Sequence, residues 1–149
     1  MNTLKIGDKV PNFSVTDQDG NTITMQDYQD KKVIVFFYPA ASTPGCTAEA
    51  CNLRDNYIVL QEQGYELLGV SADSEKRQQN FVNKYDLPFP LLADEEHIVI
   101  NGFGVWGPKK FMGREYDGIH RTTFVIDANG VIENVISKVK TKDHTAQIL

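Results

Sequence analysis

Val33-Ile34-Val35-Phe36-Phe37-Tyr38-Pro39-Ala40-Ala41-Ser42-Thr43-Pro44-Gly45-Cys46-Thr47-Ala48-Glu49-Ala50-Cys51-Asn52-Leu53-Arg54 is the stretch that decides the fold. It opens with an uninterrupted apolar run, Val33–Tyr38, rich in β-branched and aromatic residues. Such a run is too short for a helix and predicts a strand buried on both faces, as at the centre of a parallel or mixed sheet. Pro39 ends the strand because proline cannot donate to a ladder. Small and turn-forming residues follow, and a helical pattern begins near Gly45 and runs toward Gln61. Cys46 therefore falls where a buried strand hands over to a helix N-terminus. Unpaired backbone N–H groups and the positive end of the helix dipole converge there, and both stabilise an anion.

Both cysteines of the chain, Cys46 and Cys51, lie in this stretch with four residues between them. A single free cysteine is most simply a buried apolar filler. Two cysteines, with no others in the chain and both on the first turns after a strand and loop, point instead to redox chemistry. A zinc site fails on ligand count, because the three histidines, His97, His120 and His144, are scattered. No metal and no cofactor are expected.

The chain has 149 residues, enough for one domain (1–149) with a single core. A net charge of −5 without a basic stripe argues against a nucleic-acid partner. Met1–Lys9 lacks an apolar run flanked by positive charge, and no segment is long enough to cross a membrane. A cytoplasmic, monomeric protein without a signal peptide or a membrane partner is the expectation. In that compartment a close cysteine pair is more often catalytic than structural.

Along the chain, Phe13–Thr16 and Asn21–Met25 alternate around Asp17-Gln18-Asp19-Gly20 and predict an N-terminal β-hairpin. Tyr65–Ser71 reads as the next strand. Asp73 or Ser74 can cap the helix that follows, with Phe81, Val82 and Tyr85 as its apolar positions. Leu91–Ala93 reads as a short strand, and Glu95–Asn101 as a short helix ending at Gly102. Val105–Ile119, rich in glycine, reads as a long loop or irregular excursion. Thr122–Asp127 and Val131–Ser137 form the clearest hairpin, and Lys142–Leu149 can start a short last helix. This α/β order suits a mixed central sheet flanked by helices.

Pro39, Thr43 and Cys46 fit the peroxiredoxin signature of proline, three residues, threonine, two residues, cysteine. With Thr47-Ala48-Glu49-Ala50-Cys51 and Arg121-Thr122-Thr123-Phe124-Val125-Ile126-Asp127, the chain resembles the peroxiredoxin Q subfamily, also called bacterioferritin comigratory protein. The likeness runs from Gly7-Asp8 through Val105-Trp106-Gly107 to Ile136. It implies a thioredoxin-like fold and a thiol-dependent peroxidase acting on hydrogen peroxide and organic hydroperoxides, recycled by thioredoxin or a similar dithiol reductant. Relatives commonly carry a lysine–aspartate pair where this chain has Ala40-Ala41, a departure that bears on loop polarity and substrate preference.

A free thiol with a pKa near ~8.5 is only a few per cent ionised at neutral pH. Bringing such a thiol to ~6 takes about 3.4 kcal/mol of preferential thiolate stabilisation. A helix N-terminus supplies roughly 0.3–1 kcal/mol, and up to ~2 when partly buried. A cation is therefore needed, and the resemblance nominates Arg121, which would otherwise read as a solvated strand-end charge. The resemblance makes Cys46 the peroxidatic nucleophile, Thr43 a hydroxyl offered to the peroxide, and Pro39 a shield for the thiolate. Thr43 as a loop residue bonding its own backbone is the plainer alternative. Glu49 either pairs with Arg121 and holds its guanidinium, or is an exposed glutamate of a first helical turn. Trp106 reads as a packing residue, the histidines as surface or capping residues, and Arg54 at most as an outlying charge.

Cys51 takes the resolving role that the resemblance implies, attacking the Cys46 sulfenic acid to form an intramolecular disulfide. Residues five apart on an intact helix have Cα atoms about 8.6 Å apart, whereas a disulfide needs roughly 4.4–6.8 Å. Oxidation must then unwind the start of the helix. Three rivals compete with this reading. A disulfide reductase of the same fold expects cysteines two residues apart, a copper-binding module needs a histidine beside the cysteines, and a redox sensor would act through a partner without turnover.

Overall fold

The computed structural model describes residues 1–149. An antiparallel hairpin, β1 (Ser14–Thr16) and β2 (Thr22–Thr24), opens the fold as predicted. The apolar run becomes β3 (Lys32–Phe37), and the cysteines lie on α1 (Pro44–Asp55), followed by α2 (Tyr57–Glu62). Then come β4 (Tyr65–Ser71), α3 (Glu75–Tyr85), β5 (Leu91–Ala93), α4 (Ile98–Phe103), β6 (Trp106–Phe111) and β7 (Arg114–Ile119). β8 (Thr122–Ile126), β9 (Ile132–Ile136) and α5 (His144–Ile148) complete the chain.

Five strands form the central sheet in the order β5-β4-β3-β8-β9. β3 runs parallel to β4 and antiparallel to β8, so the sheet is mixed with β3 in the middle. Alternation along β3 sends its side chains to two cores. Val33, Val35 and Phe37 join Leu68, Val70, Phe124 and the α4 residues Val99, Ile100 and Phe103. Ile34, Phe36 and Tyr38 face the other way, onto Cys46, Ala50 and Leu53 of α1, Phe81 of α3 and Ile148 of α5. Cys46, Ala50 and Leu53 fall at helical i, i+4, i+7 spacing, so α1 lays the first cysteine against the sheet.

Three sequence expectations are corrected. The cysteine helix does not run unbroken to Gln61. Asn56 interrupts it at φ −111°, ψ 12°, and its amide donates to the Asn52 carbonyl at 2.8 Å, a side chain competing with the backbone for a helical acceptor. Val105–Ile119 is a regular antiparallel hairpin, β6–β7, turning at Met112-Gly113 with both residues at positive φ. Its glycines and proline mask the strand pattern, and two positive-φ residues suit a two-residue hairpin turn. The short helix starts at Ile98, because the Asp94 carboxylate accepts from the N–H groups of Ile98 (2.9 Å) and Ile100 (2.8 Å).

Gly69 of β4 carries a packing role that the sequence reading passed over. A Cβ there would lie 2.5 Å from Leu91 Cδ2 and 2.8 Å from Phe36 Cζ. Phe36 is pinned by stacking on Tyr38 at 5.6 Å and by an edge contact with Phe89 at 5.6 Å. Gly69→Ala is therefore expected to cost about 1–3 kcal/mol through overpacking. Urea unfolding of the variant against the parent measures this.

Candidate active site

The site begins with the loop that leaves β3. Tyr38 is buried and its hydroxyl donates to Gln78 Oε1 at 2.6 Å. Asp73 Oδ2 accepts from the Ala41 N–H and from the Ser71 hydroxyl, each at 2.7 Å, and so ties the loop to the end of β4. The helix cap expected of Asp73 or Ser74 falls to Ser74, which accepts from the Arg77 N–H at 3.2 Å. Ser42 adopts a left-handed φ of 62°, Thr43 becomes the N-cap, and Pro44 occupies the first helical turn. Cys46 then sits within the first turn of α1, where N–H groups have no partner in the helix.

Cys46 is buried, at 2% exposure. Arg121, in the link between β7 and β8, reaches it and donates from Nη2 to Sγ at 3.2 Å. The same guanidinium donates from Nη1 to Glu49 Oε1 at 2.7 Å. A Cβ on Gly45 would stand 3.3 Å from Arg121 Nη2, so glycine there leaves the guanidinium its approach. Burial opposes the arginine charge, but Cys46 and Glu49 outweigh it and hold the Arg121 pKa above the ordinary value. Glu49 has no exposure, which decides between its two sequence readings in favour of the ion pair. Burial raises its pKa from 4.5 to about 7 against the opposing pull of Arg121.

The remaining sequence candidates lie as follows. Pro39 and Thr43 are exposed, and the Thr43 hydroxyl donates to the Ala40 carbonyl at 2.8 Å. Cys51 is half-buried, and both cysteines are free on an intact α1. Arg54 turns away to Asp55 (2.9 Å) and the Tyr85 carbonyl (2.7 Å). Trp106 packs as expected, against the main core and His97.

His144 corrects the expectation of a surface or capping histidine. It has no exposure, and its Nε2 lies 3.4 Å from Glu49 Oε2 and 2.7 Å from the Thr123 hydroxyl. Burial lowers its pKa. Lys109 was also missed. It donates to the Ile119 carbonyl at 2.8 Å, and burial and Arg121 lower its pKa against an opposing pull from Cys46. Neither residue stands in a local motif. The apolar Ile148 four residues beyond His144 was the available sign that this face of α5 is buried.

A buried thiol at a helix N-terminus, hydrogen-bonded by an arginine that a buried carboxylate holds, is an electropositive setting of the kind in which reactive cysteines occur. Residues 6–135 match the AhpC/TSA family. The chain belongs to that family, whose members here are thiol peroxidases of the peroxiredoxin class. Within it, the chain is 50% identical over 149 residues to Peroxiredoxin Bcp of Escherichia coli K12, covering 100% of this chain and 96% of that one. It is 43% identical over 147 residues to Peroxiredoxin Bcp of Bacillus subtilis 168, covering 99% and 94%. Among solved structures, peroxidoxin BcpB of Mycobacterium tuberculosis superposes with a TM-score of 0.85 at 35% identity, covering 97% of this chain and 93% of that one. A cysteine-to-serine variant of peroxiredoxin Q from Xylella fastidiosa gives 0.92 at 27% identity, covering 99% and 94%. The resemblance to peroxiredoxin Q and the thioredoxin-like fold expected from the sequence both stand.

The Glu49 shift makes a pH prediction. A carboxyl whose pKa rises on folding contributes stability that is full below 4.5 and is lost as pH climbs through about 7. Glu49→Gln cannot titrate. The stability of the parent relative to this variant should fall across that window, as read from urea midpoints at a series of pH values.

Proposed function

We propose that the chain reduces hydrogen peroxide and organic hydroperoxides through Cys46 and Cys51, with electrons returned by thioredoxin or a similar dithiol. The observation that carries this reading is the Arg121 guanidinium spanning Cys46 Sγ and Glu49 Oε1. In the first step the Cys46 thiolate attacks one peroxide oxygen. The O–O bond breaks, the sulfur becomes a sulfenic acid, and the alkoxide or hydroxide that leaves takes a proton from water. Arg121 is placed to stabilise both the thiolate and the charge growing on the leaving oxygen. Glu49 keeps the guanidinium aimed at the sulfur. The Thr43 hydroxyl spends its proton on Ala40, which leaves its lone pairs for the peroxide O–H. Pro39 limits water access from the loop side. A structure of the Xanthomonas campestris bacterioferritin comigratory protein concerns alkyl peroxide reduction by that protein, which supports including organic peroxides here.

In the second step the Cys51 thiol attacks the sulfenic sulfur, releasing water and forming the disulfide. α1 must open for this, since the two residues stand five apart on a continuous helix. Opening draws Cys46, Glu49 and Ala50 out of the core and breaks the Glu49–Arg121 pair. The small, half-buried Gly45 and Ala48 add little further resistance. A monomer in the cytoplasm, with no nucleic-acid or membrane partner, is part of the same reading. No helix is long and apolar enough to cross a membrane.

Peroxide consumption with thioredoxin tests the assignment. Cys46→Ser should lose turnover completely, and substantial activity in it would refute the nucleophile. Cys51→Ser should oxidise at Cys46 at close to the parent rate, stall as sulfenic acid and over-oxidise under excess peroxide. Hydrogen exchange tests the opening. Amides of residues 47–55 should exchange faster in the disulfide form than in the dithiol form, and full protection after oxidation would rule the unwinding out. Arg121→Ala should slow Cys46 oxidation about 100- to 1000-fold, the usual loss of one oxyanion donor, measured by stopped-flow fluorescence of Trp106.

A further inference from the structure

Behind Arg121 the polar contacts continue inward to groups that the peroxidase reading does not use. Glu49 Oε1 is engaged by Arg121, but Oε2 is fully buried and has no hydrogen-bond donor. The polar atom facing it is His144 Nε2, 3.4 Å away. His144 Nδ1 lies 2.8 Å from Gln147 Oε1, an acceptor, so Nδ1 carries a proton. A neutral ring then has a bare Nε2, which accepts from the Thr123 hydroxyl at 2.7 Å. In that state Nε2 and an ionised Oε2 face each other lone pair to lone pair. One added proton, on either atom, removes the conflict.

We propose that His144 is a positioning residue for the Cys46 thiolate, holding with Glu49 one shared proton that leaves the charge of Arg121 to the sulfur. This rests on the reading of Cys46 as nucleophile. The charge count gives the reason. With the proton present, an ionised Cys46, Arg121, Glu49 and His144 carry no net charge. Without it they carry a net negative charge under α1, and Glu49 competes with the sulfur for one guanidinium. Burial raises Glu49 and lowers His144, so the carboxyl gains hold on the proton as the imidazole loses it. The groups facing the pair are Arg121 from the β7–β8 link, Thr123 from β8, and Gln147 from α5. Lys109 of β6 and Tyr38 after β3 have their pKa pushed up by the charge of Cys46. As pH rises and the shared proton leaves, the thiolate loses part of its stabilisation, so ionisation of Cys46 spreads over a wider pH range than a lone thiol shows.

The experiment uses the full chain with Cys51→Ser, so that one thiol is observed. The thiolate fraction near neutral pH is read by ultraviolet absorbance, and the rate of Cys46 oxidation by hydrogen peroxide is followed across pH. His144→Gln keeps a donor toward Oε2, which favours the ionised form of Glu49, and cannot carry the proton itself. It should lower both thiolate fraction and rate by up to about tenfold. On a Glu49→Gln background the same change should do nothing, because position 49 then has no charge to compensate. An equal loss in both backgrounds, or no loss in either, overturns the proposal. In the parent fold, nuclear magnetic resonance of the His144 ring and the Glu49 carboxyl carbon gives a second readout. The two should titrate together, and the absence of any titration between about pH 5 and 9 overturns the proposal as well. Arg121→Ala separates the layers. If it leaves the thiolate fraction unmoved, the role of Arg121 falls and the proposal with it, while the nucleophile is judged by Cys46→Ser; if it lowers the fraction while His144→Gln does not, only the role of His144 falls.

Discussion

A carboxylate with no access to water lies under α1, and the ion pair it makes with Arg121 governs the surrounding structure. Taking such a charge out of water costs several kcal/mol unless partners compensate it. The compensating charge comes from another part of the chain, the link between β7 and β8. Because β8 is paired to β3 over Val33–Phe37, the residue that neutralises Glu49 is fixed to the strand that delivers the cysteine loop. Sheet register, helix position and guanidinium reach thus become one requirement. Breaking a buried pair of this kind by removing one partner typically costs about 3–5 kcal/mol.

In the proposed reaction the sulfur needs both of its neighbours, the helix N-terminus and Arg121. A helix N-terminus contributes up to about 2 kcal/mol in a partly buried setting, too little to ionise an ordinary thiol well below neutrality. A charge-assisted hydrogen bond from arginine is roughly twice as strong as a neutral one. Its cost is the burial of a second charge, met here by Glu49. The proposed site and the core under α1 are therefore not separable layers, since Cys46, Ala50 and Leu53 belong to the helix face that packs on Ile34, Phe36 and Tyr38.

What could be read in the sequence followed from local chemistry. Val33–Tyr38 announced a central strand because nothing else in 149 residues combines that length, branching and a terminating proline. Tyr65–Ser71 and Leu91–Ala93 were found to the residue for similar reasons. That Arg121 reaches Cys46 was legible through spacing that matches a family. What stayed hidden was set by tertiary contacts. The β6–β7 hairpin pairs only with itself, and its exposed strands lack the apolar alternation that marks a sheet face. The break at Asn56 depends on a side chain capturing a carbonyl one turn back. His144 looked like a surface residue because the carboxylate and hydroxyl that enclose it lie on α1 and β8, far away in sequence.

Asn52 follows Cys51 and is fastened to the C-terminal segment. It accepts from the Thr145 N–H at 2.8 Å and donates to the Lys142 carbonyl at 3.2 Å. In the proposed cycle this anchor sets where the opening of α1 stops, immediately beyond the second cysteine. The free chain between the sulfurs is then four residues long, a tether whose closure costs little entropy. Over so short a leash the resolving thiol acts at an effective concentration of at least millimolar order. A competing small thiol in solution would have to exceed that concentration to reach the sulfenic acid first. The C-terminal clasp thereby gives the molecule's own second sulfur precedence over outside nucleophiles.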